Sequence, residues 1–212
     1  MNKNEFLSSC EALSEWHFPR LAELPEFELY MDQVIALSEK YLNILTPDHK
    51  GSLTPSMINN YVKSGVLPPP KNKKYNRHHL AMLLIICTSK TILEISTISN
   101  VLTKSIAENK IESVFDGFAE MYENAVANAA KKAKFAVNAS DSENILSFIA
   151  IENALQASAA RTVAMYAYQS TAELLPDETK DKEKEKAEKK AEKAEKKAEK
   201  KAKQNTESSA QE

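Results

Sequence analysis

The sequence predicts an all-α protein, and three observations carry that reading. Only three glycines occur among 212 residues, against many Ala, Leu, Ile, Glu and Lys, the residue types that lose least on entering a helix. No segment alternates apolar and polar side chains with the period of two that a half-buried strand needs. Apolar residues instead recur at spacings of three and four until about Pro176, beyond which large apolar side chains almost vanish.

Taken in order, residues 1–19 form an N-terminal unit built on a helix at 4–16, with Phe6, Leu7, Cys10, Leu13 and Trp16 near one face. Pro19 and Pro25 punctuate the chain before a second helix, expected over 26–45, whose start is crowded by Glu26, Glu28 and Asp32. Carboxylates there favour the helix dipole. A loop, 46–52, follows. Thr54 is an N-cap, Pro55 a first-turn proline and Gly65 a left-handed C-terminal cap, so a helix is predicted over Pro55–Ser64 with Met57, Ile58, Tyr61 and Val62 inward. Pro68–Pro70 hold the chain extended, and Lys71–Tyr75 reads as a tight turn or a small two-stranded wing. Asn76 caps a helix from Arg77 to about Ser89, with Leu80, Leu83, Leu84, Ile86 and Cys87 apolar. A shorter helix at about 92–102 closes a domain expected to span 20–103.

The region 104–175 reads as a long helical hairpin. Its first helix carries Ile111, Val114, Phe115, Phe118, Met121, Tyr122, Val126 and Ala129 and ends near Ala139. Its second, 141–175, begins at the capping-box pattern Ser140-Asp-Ser-Glu143 and carries Ile145, Phe148, Ile149, Leu155, Val163 and Tyr166. Two long helices alone bury too little to be stable, so the hairpin is expected to pair with a second copy. Met121, Tyr122, Phe148 and Tyr166 read as core of that hairpin, and no effector is assigned. The tail, 176–212, is low-complexity: Ala187-Glu-Lys-Lys-Ala-Glu-Lys193 repeats at once as Ala194–Lys200. Alanine is too small to seam a coiled coil. The tail therefore reads as a solvated, transiently helical arm whose run 180–203 has net charge +5.

Charge is unevenly spread. Residues 50–110 hold nine Lys/Arg against two Glu, while 1–49 hold three against nine acids and 111–179 four against ten, all hidden in an overall charge of −2. A basic island of this kind suits a nucleic-acid module. Two scattered cysteines, Cys10 and Cys87, make neither a disulfide framework nor a zinc site. The N-terminal residues lack the apolar core of a signal peptide, and the longest apolar run, Leu80–Cys87, is too short to span a bilayer. A cytoplasmic protein without a membrane partner is expected.

A DNA reader needs a rigid helix presenting short polar side chains, with cations and amides beside it for phosphates. On the helix at 55–64, Ser56, Asn59, Asn60 and Lys63 lie opposite the apolar face and are the expected base readers; an asparagine amide bonds an adenine edge at two points. Tyr61, Lys71, Lys73, Lys74, Tyr75, Arg77 and His78 are the expected phosphate contacts.

At these residues the chain resembles the MerR-type winged helix-turn-helix, with Tyr61, Gly65-Val-Leu-Pro68 and Lys74-Tyr75 in the places of that pattern. It departs at Asn59, where an arginine is usual, at Asn60, where a first tyrosine is usual, and in a shortened wing without glycine. It also resembles a bacterial family of unknown function regarded as DNA-binding, through Leu24-Pro25, Leu29-Tyr-Met-Asp-Gln-Val34, Leu53–Lys63, Lys74-Tyr75 and His79-Leu-Ala81. That resemblance covers Trp16 to about Leu102. It implies a MerR-like winged helix-turn-helix followed by the hairpin, and a sequence-specific regulator of transcription that binds double-stranded DNA as a homodimer. The alternative is a non-enzymatic adaptor whose basic helix docks an acidic partner.

Catalysis is not expected. The sequence offers no Gly-rich phosphate loop and no Ser/His/Asp, Cys/His or paired-acid arrangement with usable spacing. His78 and His79 are adjacent, so they point to different sides of a helix, and no cysteine or carboxylate cluster joins them. No metal or cofactor is expected.

Overall fold

The computed structural model describes residues 2–45 and 53–172. The loop expected at 46–52 and the charged tail lie outside the described residues. Those described form seven α-helices: α1 Lys3–Ser14, α2 Met31–Leu42, α3 Pro55–Lys63, α4 Arg77–Ser89, α5 Ile95–Glu108, α6 Ile111–Asn138 and α7 Ile145–Ala172. No strand occurs among them, only two isolated antiparallel bridges. The fold divides after Val163, so the last turns of α7 belong to a second unit beginning at Ala164.

The main core is built around α4. Its sequence is apolar on nearly every side, and every residue from His79 through Ile86 is buried; a helix of that kind needs neighbours all round. It has them in α2, α5, α6 and a 3₁₀ turn at Leu21–Glu23, and Ile58 and Tyr61 of α3 belong to the same apolar cluster. Asn76 caps α4 by accepting from the His78 and His79 amides at 3.1 and 3.2 Å.

The segment between α1 and α2 is irregular but tightly held. Phe18 is fully buried in an aromatic cluster with Trp16, Phe115, Phe118 and Tyr122, mostly edge to face. Polar groups on α6 satisfy its backbone: Asp116 accepts from the Leu21 amide at 2.7 Å, and Arg20 donates to Glu123 at 2.9 Å and to the Phe18 carbonyl at 2.6 Å. Burial pushes the Glu123 carboxyl up, yet its hydrogen bonds from Arg20 and the Phe18 amide outweigh that and hold it below the usual carboxylate range.

The second helix starts five residues later than the acidic pattern suggested. Residues 26–30 are instead drawn out because Leu29 pairs by backbone with Tyr75, donating to its carbonyl at 2.7 Å and accepting from its amide at 2.8 Å. Tyr30 then takes the N-cap place, its amide bonded to the Gln33 side chain at 2.8 Å. Helix α5 likewise runs from Ile95 to Glu108 rather than 92–102, since Ile92 and Leu93 close a turn on the Ser89 carbonyl at 3.0 and 2.9 Å.

Long α6 serves two cores. Its first half gives Phe115 and Ala119 to the main core, so the boundary expected at 103/104 runs through one continuous apolar cluster. Its second half gives Ala130, Ala133 and Val137 to a smaller cluster with Cys10 of α1 and Ile149 of α7. Helix α1 lies along this half, with Lys134 bonded to Glu11 at 2.9 Å. The capping box at Ser140–Glu143 does not form. The chain turns on Ser140 and Ser142, whose hydroxyls accept from the amides of Ser142 and Asn144, and α7 begins at Ile145. Of the side chains expected in the hairpin core, only Tyr122 is partly buried, against the main cluster; Met121 and Phe148, and Tyr166 in the second unit, are exposed. The seam they were assigned to is occupied by alanines and α1 instead.

Replacing Phe115 with alanine should therefore cost about 3–5 kcal/mol in urea unfolding. A chain ending at residue 103 should lose cooperative unfolding altogether, which circular dichroism would read.

Candidate functional site

The basic island folds into α3, an extended proline linker, a tight turn and the start of α4. Thr54 caps α3 by accepting from the Met57 amide at 3.3 Å, and Pro55 fills the first turn, where no amide partner is needed. Ile58 and Tyr61 turn inward, and Ser56, Asn59, Asn60 and Lys63 are exposed on the other side. The helix ends on Gly65 at φ 78°, a left-handed position that favours glycine although a side chain would meet nothing there. Among the described residues, none of the Ser56, Asn59, Asn60 or Lys63 side chains is committed to another group.

After the prolines, Lys71 and Lys74 face each other in an antiparallel bridge with the Lys74 amide donating to the Lys71 carbonyl at 2.9 Å. Between them Asn72 and Lys73 both have positive φ, 51° and 62°, the mark of a type I′ turn. The expected wing is thus reduced to one turn, tied at its far end to Leu29. Asparagine tolerates the left-handed region, but Lys73 is strained there by about 1–2 kcal/mol.

The cations divide into two sets. Arg77 pairs with Glu26 at 2.5 Å and Lys74 with Glu28 at 3.6 Å, while the Lys74 ammonium also lies 5.7 Å from the Tyr30 ring. The carboxylates read from sequence as helix-dipole partners thus neutralise two expected phosphate contacts. Lys63, Lys71 and Lys73 are exposed and have no ion-pair partner among the described residues, and His78 is exposed at the first turn of α4. Tyr61 takes the inward place its helix period predicted, and Tyr75, expected at phosphate, is buried too. They are 7% and 2% exposed, and burial raises both phenols above their ordinary pKa. They serve as core, not as surface hydroxyls, because α4 needs bulk on these sides.

Beside α3 lies a cleft of about 490 Å³ lined by Tyr30, Met31, Asp32, Asn59, Pro70, Lys73 and Tyr75. It joins an exposed aromatic ring, a free amide, a free ammonium and a carboxylate. Exposed Tyr30, which lines this cleft, was missed as a site residue; its place inside an expected helix hid it. Among the described residues no group of three or more His, Cys, Asp or Glu could hold a metal ion, and no helix is long and apolar enough to cross a membrane.

His79 is buried against the Tyr75 ring at 5.6 Å, edge to face. Its Nδ1 meets the Asn76 side-chain oxygen at 2.7 Å and the Asn76 amide at 3.2 Å. Its buried Nε2 faces the Pro68 and Pro69 carbonyls outside hydrogen-bond geometry. Burial lowers its pKa from the ordinary 6.5, outweighing those carbonyls, which act in the opposite sense.

A family model described as a domain of unknown function, DUF1836, matches residues 19–125. The chain belongs to that family. The match ends within α6 just past Tyr122, so it spans nearly the same residues as the main core and contains the whole basic island. No curated protein and no solved structure matches the chain.

Two outcomes follow. Lys73→Gly removes left-handed strain of about 1–2 kcal/mol and gives back about 0.4–1 kcal/mol in unfolded-chain freedom, so denaturant unfolding should show a gain of up to about 1.6 kcal/mol. A depressed histidine pKa means protonation favours the unfolded chain. Stability should accordingly be full above about pH 6.5 and decline as pH falls through that value. His79→Gln should flatten the decline; an equal slope in both proteins would exclude His79 as its source.

Proposed function

We propose that the chain is a sequence-specific reader of double-stranded DNA and acts as a regulator of transcription. The observation that carries the reading is the exposed face of α3: Ser56, Asn59, Asn60 and Lys63 stand in solvent without partners among the described residues, next to two lysines equally unpaired there on a tied-down turn. In this reading α3 enters the major groove as the second helix of a MerR-like winged helix-turn-helix, and the 71–74 turn is the shortened wing. Asn59 and Asn60 read base edges, where one good two-point contact is worth roughly 1–3 kcal/mol of discrimination. Lys71, Lys73 and His78 hold phosphates. Arg77 and Lys74 join them on exchanging Glu26 and Glu28 for the phosphodiester. One short helix reads too few bases for a useful specificity ratio, so the reading requires two copies on an inverted repeat.

A second reading, a protein-interaction adaptor, is favoured by the cleft beside α3. Its lining is largely apolar, with Tyr30 and Pro70 at its walls, and its single free ammonium, Lys73, suits an acidic segment of a partner.

Fluorescence anisotropy with genomic fragments at two salt concentrations separates the two. DNA reading gives a preferred fragment that survives competitor. Asn59→Ala with Asn60→Ala should erase the preference and leave weak binding; Lys71→Ala with Lys73→Ala should weaken all fragments alike and reduce the salt slope by about one to two units. Glu26→Gln with Glu28→Gln should tighten every fragment, because two cations are released. An asparagine double variant that still selects the same fragment would exclude α3 as the reader.

A further inference from the structure

The cleft beside α3 has walls that the fold already holds in place. Tyr75 is buried, Met31 packs against the main core, and Pro70 ends a linker that three prolines keep extended. Tyr30 is fixed at its backbone by the Gln33 bond. Its ring lies 5.7 Å from the Lys74 ammonium, which Glu28 holds in turn. Three polar side chains complete the lining: Asp32 from the first turn of α2, Asn59 from α3 and Lys73 from the tight turn. Asp32 and Lys73 carry opposite charges and line one cleft, yet no ion pair joins them, and neither has another among the described residues. At about 490 Å³ the cleft falls within the ~300–1,000 Å³ of sites that take small organic ligands.

Lys73 adds a separate observation. It is the second central residue of the type I′ turn, at φ 62°, where glycine is favoured. Strained residues of this kind cluster at ligand sites, because stability alone would not keep them. Here the strain retains an ammonium at the cleft that glycine, the relaxed choice, would remove.

We infer that the cleft binds a small zwitterion with an aromatic body, the chemistry of an aromatic amino acid. The ligand's ammonium pairs with Asp32, its carboxylate with Lys73 and the Asn59 amide, and its ring lies against Tyr30 and Pro70. An anion alone would meet the Asp32 carboxylate, and a cation alone the Lys73 ammonium. An uncharged ring would satisfy neither. Hydrogen bonds between charged groups are the strong ones, and the Tyr30 ring, 56% exposed, is open to the edge or offset contact that aromatic pairs prefer.

This occupant shares residues with the DNA surface. Asn59 is a proposed base reader and Lys73 a proposed phosphate contact, so ligand and DNA exclude one another. That regulatory consequence rests on the DNA reading; the binding itself does not.

NMR titration of the isotope-labelled full chain tests the site without DNA. The probes are L-phenylalanine, L-tyrosine and L-tryptophan, each with its deaminated and its decarboxylated analogue, and L-alanine, which lacks the ring. At least one aromatic amino acid should shift the Asn59 side-chain amide and the backbone amides of Asp32 and Lys73 in a saturable way. Alanine should bind at least about tenfold more weakly. Removing either charge from the ligand should cost a similar factor, the worth of one hydrogen bond between charged groups. Substitutions should cross with the analogues. Asp32→Asn should weaken the amino acid but not its deaminated analogue, and Lys73→Gln should weaken it but not its decarboxylated analogue. Should either variant misfold, the analogue series on the unaltered chain decides alone. No saturable shift at the cleft with any of the three amino acids overturns the inference, as does equal binding of an amino acid and its single-charge analogues. Anisotropy then reads the competition: saturating ligand should displace the preferred DNA fragment. A chain that binds the ligand and no DNA sinks the DNA reading and leaves the site standing. DNA binding unchanged by saturating ligand overturns the mutual exclusion.

Discussion

The surface that carries the functional reading depends on one backbone contact, the two-way hydrogen bond between Leu29 and Tyr75. In net energy it is modest, about 0.5–1.5 kcal/mol for each bond. Its effect is geometric. It ends the 71–74 turn, seats the Tyr75 ring against His79 and the core, and stretches residues 26–30 so that Glu26 and Glu28 reach Arg77 and Lys74. Without it the strained turn at Asn72 and Lys73 would have no anchor at its outer edge, and the cleft between Tyr30 and Asn59 would have no wall.

What could be read from the sequence follows the range of the interaction. Helices α3 and α4 announce themselves, because Thr54-Pro55, Gly65 and Asn76 act on backbone groups three or four residues away. The exposed placement of Ser56, Asn59, Asn60 and Lys63 follows from the period of Ile58 and Tyr61 alone. The late start of α2 was hidden, since its cause is a partner far along the chain. The same distance hid the loss of Arg77 and Lys74 to carboxylates, the burial of Tyr75, and the exposure of Phe27 and Tyr30. The apolar periods of α6 and α7 were legible, but not which neighbours they serve. A stripe shows that a helix wants cover, and α6 finds it in α1 and the main core while most of the α7 flank does not.

The basic island consequently acts as two layers. Lys63, Lys71 and Lys73 are free to meet an anion at once. Arg77 and Lys74 are held by Glu26 and Glu28, so under the proposed DNA reading a phosphodiester would have to replace both carboxylates to recover those two charges. Family membership places this island inside the matched residues 19–125 and the whole of α7 outside them.

Amide hydrogen exchange at Leu29 and Tyr75 tests the organising contact most directly. If that pair fixes the surface, both amides should be protected on the scale of the α4 core, while Asn72 and Lys73 between them exchange quickly. Exchange at Leu29 and Tyr75 as rapid as at the turn itself would contradict the account. The turn would then be unanchored, and α3 would share no fixed surface with it.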